Sequence, residues 1–290
     1  MRNIVTGQPG STRYPRILSA ASRGPQGTFS TLPTNRYVND RPSPLFIERF
    51  NLLPDNAAQV FTHDSLQVAM RFKNQSITAQ PVAAGVIFDS VVETNMPILT
   101  WKLDHPLIMF QGDFFEIRLN GGSNIIISAM GYYESRPAPQ QYRYVPYILS
   151  DRVYVDNGEF EDAREEALRN DGVTPFFVSS VMFRPPHPTN RLSINGPGAD
   201  WTKERLQTHM SFINFRSNPL HDTMLKADET LSASVFNDSG ADRSFDVAYK
   251  GYKIERLPVR LSAPERRPVP QLKNHRAILD LGRGLKIRRS

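Results

Sequence analysis

From Pro44 the chain falls into short apolar or alternating runs: LFIERFNL, SLQVAMRF, PVAAGVIF, PILTWKL, FFEIRL and NIIISAMGYY. Pro, Asn-Gly-type and Gly-Gly punctuation separates them. Successive side chains of a strand point to opposite faces, so each alternating run offers one face to a core and the other to water. Runs this short and this dense predict a β-sandwich, the jelly-roll kind included.

The flanks read differently. Residues 1–43 are rich in Gly, Pro, Ser, Thr and Arg with no sustained period, which predicts an extended arm. After the first run of strands comes a Pro- and Tyr-rich connector, RPAPQQYRYVPY, and then DNGEFEDAREEALRNDG, whose pattern predicts a helix over about 157–170. Phe160, Ala163, Ala167 and Leu168 would share one stripe, acids crowd the first turns, and Gly172 supplies a stop. Phe160 and Leu168 on that helix, together with Tyr142, Tyr144 and Tyr147, are expected to fasten two domains together, with a sugar-binding platform as the other use of the tyrosines. Residues 259–290 form a second, basic arm.

The sequence also echoes itself. PLFIERFNLLP (44–54) lines up without a gap on PFFVSSVMFRP (175–185), HPLIMFQGDFFEIRLN (105–120) resembles NPLHDTMLKADETLSASVFN (218–237), and Gly131-Tyr132 returns as Gly251-Tyr252. Three matches in one order point to a duplicated domain. The expected fold is therefore all-β: two tandem β-sandwich, jelly-roll-like domains at 44–137 and 173–258, a linking helix in the 138–172 connector, and arms at both ends. In each domain the Gly-Tyr phrase would lie in the closing strand, the glycine permitting close backbone approach. The stretch SINGPGADWTKERLQTH interrupts the second half with a turn and a short helix, its cap assigned to Asp200.

Charge sharpens this division. Residues 1–43 carry +5 and residues 265–290 carry +6, so with a chain total of +6 the middle is left at −5. The C-terminal arm interleaves Arg266, Arg267, Lys273, Arg276, Arg283, Lys286, Arg288 and Arg289 with Ile278, Leu279, Leu281, Leu285 and Ile287. That alternation points to docking on protein first, on nucleic acid second and on an anionic membrane third. MRNIVTGQPGSTRYPR has no apolar core of signal-peptide length, and no 18-residue apolar run occurs, so no spanning segment is expected.

Candidate chemistry is sparse. The absence of cysteine removes disulfides, thiolate metal sites and a cysteine nucleophile. His63, His105, His187, His209, His221 and His275 show no metal-ligand spacing, and His63-Asp64 has no GxSxG turn beside it. NGPG (195–198) reads as a turn, and the acids of DNGEFED (156–162) lack the spacing of a calcium loop. No catalytic residue, metal, cofactor or small-molecule substrate is expected.

Tandem acidic sandwiches between basic arms resemble the double jelly-roll major capsid proteins of tailless icosahedral bacteriophages. The resemblance is architectural and spans roughly residues 44–260. It implies upright paired barrels, trimers with pseudo-sixfold outlines, terminal arms tying neighbours together, and a virion protein made in the host cytoplasm. The legible echo between the halves is a departure from that family. Other virion components (tail, collar or cement proteins) and a carbohydrate- or receptor-binding sandwich are the alternatives.

Overall fold

A computed structural model describes residues 11–23, 36–54, 67–93, 96–120, 124–184, 187, 189–197, 199–200, 206–207, 212–214 and 223–258. The first body is built from β1 (Arg13–Arg23), β2 (Arg36–Val38), β3 (Leu45–Pro54), β4 (Gln67–Phe72), β5 (Gln75–Ser76), β6 (Val82–Ala83), the short helix α1 (Ala84–Ile87), β7 (Asp89–Glu93), β8 (Met96–Met109), β9 (Phe114–Asn120) and β10 (Asn124–Glu134). The second comprises β11 (Tyr142–Val155), β12 (Phe160–Asp162), β13 (Phe176–Arg184), β14 (Arg191–Gly196), β15 (Ala199–Asp200), β16 (Leu206–Gln207), β17 (Phe212–Asn214), β18 (Thr223–Leu225), β19 (Ser232–Phe236) and β20 (Arg243–Arg256).

Each body is two antiparallel sheets. In the first, β1-β10-β3-β8-β7 faces β2-β9-β4-β5, with β6 also on β4; in the second, β11-β20-β13-β17 with β18 on β13 faces β12-β19-β14-β15 with β16 on β14. The strand orders correspond, with β17 and β18 together holding the place of β8 and with β7 unmatched among the described residues. In both bodies the opening strand pairs with the closing strand, which pairs with the strand of the PLF or PFF segment. Inward side chains such as Leu45, Ile47, Phe50, Phe72 and Phe115 fill the first core. Phe176, Val178, Phe183, Val235 and Tyr249 fill the second.

Four expectations are corrected. The arm assigned to residues 1–43 contains β1 and β2, so the first sandwich already begins at Arg13. The sequence of β1, RYPRILSAASR, looks like a loop because it is polar and ends in small residues. It nevertheless pairs with β10 along its whole length, from Arg13↔Glu134 to Arg23↔Asn124. An outer strand tolerates such a composition, since it needs only one neighbour. By the same logic the connector of 138–172 contains β11 and β12, the first strands of the second sandwich.

The helix expected over 157–170 is absent. Phe160–Asp162 is a strand on β19, and only Glu165–Ala167 makes a single 3-10 turn. Gly158 has φ +86°, outside the helical region. The backbone N–H of Ala163 donates to Ala233 O, and Leu231 N–H donates to Leu168 O. Pairing across the sheet thus supplies partners that an isolated helix would otherwise have to provide itself. Among the described residues the α-helix is α1, in the first body. The cap assigned to Asp200 also fails, because Ala199–Asp200 is a strand on β14.

The repeated Gly-Tyr phrase marks one local device used twice. Gly131 and Gly251 sit where the closing strand crosses a register shift, between Ile47 and Arg49 on β3 and between Val178 and Ser180 on β13. A Cβ on Gly131 would meet Phe46 O at 1.9 Å, and one on Gly251 would meet Phe177 O at 1.8 Å. The tyrosine that follows stacks on the same phenylalanine, Tyr132 on Phe46 at 5.3 Å and Tyr252 on Phe177 at 5.5 Å, both pairs 11° from parallel.

Candidate functional site: the seam between the two sandwiches

The first core does not stop at the first sandwich. Val145, Ile148, Met182 and Ala248 of the second sandwich belong to the same buried cluster as Ile77, Val86, Ile87 and Phe88. Helix α1 lies against β13 and β20, and β8 against β11. Both sandwiches form one compact unit ending at Arg256.

Polar groups key this apolar seam. Ile148 N–H donates to Ile77 O at 2.8 Å, and Ala79 N–H donates to Ile148 O at 3.2 Å. The buried Lys250 donates from Nζ to Ile87 O at 3.0 Å. Arg143 on β11 reaches the β8–β9 turn, where Nη1 meets Asp113 Oδ2 at 2.8 Å, while Nη2 meets Glu255 Oε2 at 2.6 Å. Its guanidinium lies 4.7 Å over the Phe72 ring, and Lys73 Nζ makes a second pair with Asp113 at 3.1 Å. Buried pairs of this kind fix orientation more than they add stability. His105 on β8 stacks on Tyr144 at 4.1 Å and meets Tyr252 edge-on at 4.7 Å.

Only one of the five residues expected to fasten the domains lies at this seam. Tyr144 does, through His105. Tyr142 is 46% exposed at the start of β11. Tyr147 points into the second core, T-shaped against Phe176 with its hydroxyl 3.5 Å from Asp171 Oδ1. Phe160 is 40% exposed and packs within its own sandwich on Phe236, and Leu168 is buried in the second core. These assignments followed from the mistaken connector. Val145, Ile148 and Arg143, which do build the seam, lie in the same Pro- and Tyr-rich stretch. The eight basic residues from Arg266 to Arg289 lie outside the described residues.

A buried asparagine holds each corner where the chain enters β3 or β13. Asn39 donates through Nδ2 to Met109 O (2.8 Å) and Ser43 O (3.0 Å), and its Oδ1 accepts from Tyr133 OH at 2.9 Å. Asn170 donates to Leu225 O (3.2 Å), Thr174 O (3.1 Å) and Lys226 O (3.1 Å). Both are fully buried. Where the first sandwich has Tyr133 the second has Lys253, whose Nζ sits 3.5 Å over the Tyr147 ring. Burial lowers the Lys253 pKa, against an opposing pull from Asp171.

This arrangement positions two bodies. The cleft at the seam, about 230 Å³, is lined by Gln67, Gln80, Asp151, Arg152, Arg164 and Asp246. Its charges are paired: Arg164 Nε bonds Asp151 Oδ1 at 3.0 Å, and Arg152 Nε bonds Asp246 Oδ1 at 2.9 Å. Among the described residues no group of three or more His, Cys, Asp or Glu could hold a metal ion.

No family model matches the chain. No curated protein matches it either. Among solved structures it is similar to the major capsid protein P2 from bacteriophage PM2, 9% identical, with a TM-score of 0.48 over 84% of this chain and 98% of that one. It is also similar to the major capsid protein of Sulfolobus Turreted Icosahedral Virus, 10% identical, with a TM-score of 0.47 over 83% and 96%. VP54 of PBCV-1 is 8% identical, with a TM-score of 0.45 over 86% and 96%. The chain is a double jelly roll. That statement stands on its own strand order, repeated twice with the same register. The likeness to these proteins is one of fold. The double jelly roll places its two sheets of opening and closing strands, β1-β10-β3 and β11-β20-β13, as matching platforms, and the seam occupies the second of them.

Proposed function

We propose that this double jelly roll is a capsid subunit that assembles with copies of itself, as a homotrimer or larger, and with other virion proteins. The observation that supports it most directly is the seam. One jelly roll docks an apolar face on its own duplicate, and the charges in the cleft beside that seam are paired with one another. A binding module or enzyme would instead be expected to keep open a cleft with unpaired polar groups there.

Under this reading the chain functions in the virion and needs no catalytic residue or cofactor. The basic C-terminal segment, with Arg266, Arg267, Lys273, Arg276, Arg283, Lys286, Arg288 and Arg289, acts as an assembly element on neighbouring subunits. Contact with nucleic acid or an anionic membrane is its second use.

Electron microscopy and light scattering of the purified full-length chain test the proposal. Particles, or a defined mass several times 32.9 kDa, are expected. A chain that stays at its single-chain mass across concentration and salt, and binds a glycan instead, would overturn it in favour of the binding-module reading.

A further inference from the structure

One outer sheet face of the first jelly roll carries charges that its duplicate lacks. Arg71 on β4 lies opposite Glu116 on β9, Ala69 lies opposite Arg118, and Arg36 on β2 flanks Glu116 from the other side. Val68, Met70, Phe72, Phe115 and Ile117 alternate with them and face the core, so the charged positions share the outward face. Glu116 is taken by Arg36, whose Nε meets Oε1 at 3.0 Å while its guanidinium lies 3.8 Å over the Phe114 ring. Among the described residues Arg71 and Arg118 have no ion pair and no side-chain hydrogen bond.

The duplicate shows what the fold itself requires. Gly112 N–H donates to Asn39 O and Asp228 N–H donates to Asn170 O, so the two turns correspond, and both residues have positive φ. Counting from them, Glu116 and Arg118 match Ser232 and Ser234, and across the strand pair Arg71 and Ala69 match Asn195 and Ser193. The same strand pair forms in the second jelly roll with no charge at any of these positions. Building the sheet does not account for the two arginines.

They border a cleft of about 280 Å³, with Ala69 between them and Ser76, Gln80 and Glu116 around it. The wall made by residues 76–81 is fixed in advance. Met70 N–H donates to Thr78 Oγ1 at 3.0 Å, Ala79 N–H donates to Ile148 O at 3.2 Å, and Gln80 Nε2 donates to Ser150 O. Arg71 and Arg118 are diagonal neighbours on adjacent strands, a spacing of roughly 7–8 Å that long side chains can span. Two guanidinium groups so placed can grip one tetrahedral anion from either side.

We propose that this cleft binds the phosphate monoester of a small polyol, such as a sugar phosphate, with Arg71 and Arg118 holding the phosphate. With Glu116 neutralised by Arg36, the two arginines match the charge of about −1.5 to −2 on a phosphate monoester at pH 7. A carboxylate or a phosphodiester would leave one of them unbalanced. The Ser76 hydroxyl, Gln80 Oε1 and the Glu116 carboxylate are left for the hydroxyls of the polyol. Nothing in the site requires a second copy of the chain.

Calorimetric titration of the full-length chain with glucose 6-phosphate tests this, against glucose, inorganic phosphate and the methyl diester of glucose 6-phosphate. One saturable site per chain is expected, and each of the three comparison compounds should bind at least about tenfold more weakly. Arg71→Gln and Arg118→Gln should each weaken glucose 6-phosphate at least about tenfold, the scale of one lost charge-assisted contact. Arg136→Gln makes the same charge change outside the cleft and should leave binding unaltered. Ala69→Leu keeps every charge but fills the space between the arginines, and should weaken binding as they do; it decides the matter if the arginine variants fail to fold. Absence of saturable binding overturns the site, as does equal weakening by Arg136→Gln, which would reduce it to diffuse charge. Equal binding of the diester would make the cleft a phosphodiester contact of the kind nucleic acid offers, and equal binding of inorganic phosphate would make it an ion site. Either result overturns the proposed ligand.

Discussion

Gly131 lies against the backbone of Phe46 so closely that a single added carbon would sit 1.9 Å from the Phe46 carbonyl oxygen. Within a strand, replacing Gly by Ala ordinarily stabilises, by roughly 0.5–1 kcal/mol. Here the sign should invert. Gly131→Ala and Gly251→Ala should each lose about 1–3 kcal/mol or more, because the blocking atom is backbone and cannot rotate away. Urea titration at an unchanged m-value measures it. A neutral or stabilising effect would show that the strands separate there at little cost.

The corner asparagines give a second pair of matched sites. Asn39→Ala leaves Met109 O, Ser43 O and the Tyr133 hydroxyl without this partner, and Asn170→Ala does the same to Leu225 O, Thr174 O and Lys226 O. A loss of about 2–4 kcal/mol is expected for each, since buried carbonyls keep the desolvation penalty when the donor goes. Equal losses at the two positions would confirm one device used twice.

Ile148 tests whether the seam makes the two jelly rolls melt as one. An aspartate there would bury an unpaired charge between them, destabilising the seam by roughly 3 kcal/mol or more. Calorimetry should then resolve two transitions, where the wild type is expected to show one. A single transition in Ile148→Asp would mean that cooperativity is carried elsewhere.

Burial raises the pKa of Tyr249, whose hydroxyl donates to Ser232 O at 2.7 Å, and of Tyr147, where Asp171 adds to the shift. Above pH 10 the unfolded chain releases these protons while the folded chain retains them. The stability these groups contribute is therefore complete below pH 10 and falls as the pH rises beyond it. The slope is about 1.4 kcal/mol per pH unit per group. Tyr249→Phe should remove one group's share of that alkaline loss, read as the slope of unfolding free energy between pH 10 and 11. An unchanged slope would place the ionisation elsewhere.

Removal of residues 265–290 should leave the jelly rolls folded, because the closing strand of the second ends at Arg256. It should abolish large particles. If the segment were only a phosphate tether making six contacts, affinity would fall roughly a thousandfold between 50 and 200 mM salt. A protein-docking segment with buried Ile and Leu should weaken much less. Normal assembly of the truncated chain, with that steep salt dependence in the full-length one, would favour the tether.

Much of this fold is legible in sequence wherever one strand face meets a core. FFEIRL and LFIERFNL alternate because their own sandwich dictates it, and Gly131-Tyr132 repeats as Gly251-Tyr252 because the same backbone crossing excludes any Cβ. Two further repeats carry the duplication into the stretches taken for arm and connector. PRILS (15–19) returns as PYILS (146–150), and NDRPSPLF (39–46) as NDGVTPFF (170–177), with the same 131-residue spacing as the PLF and PFF segments. They are short and polar, so periodicity passes over them. Only their alignment with the strand repeat would have exposed β1, β11 and the corner asparagines.

Tertiary structure alone decided the rest. EFEDAREEAL has a helical stripe, yet it lies along β19, because cross-sheet hydrogen bonds and the burial of Ala163 and Leu168 outweigh a local preference worth a few tenths of a kcal/mol per residue. PRILS and PYILS are nearly one sequence, but Ile148 is buried and Ile17 is open. What separates them is the neighbour each strand meets, and a neighbour brought in from a distant part of the chain leaves no mark on the local pattern of the strand it covers.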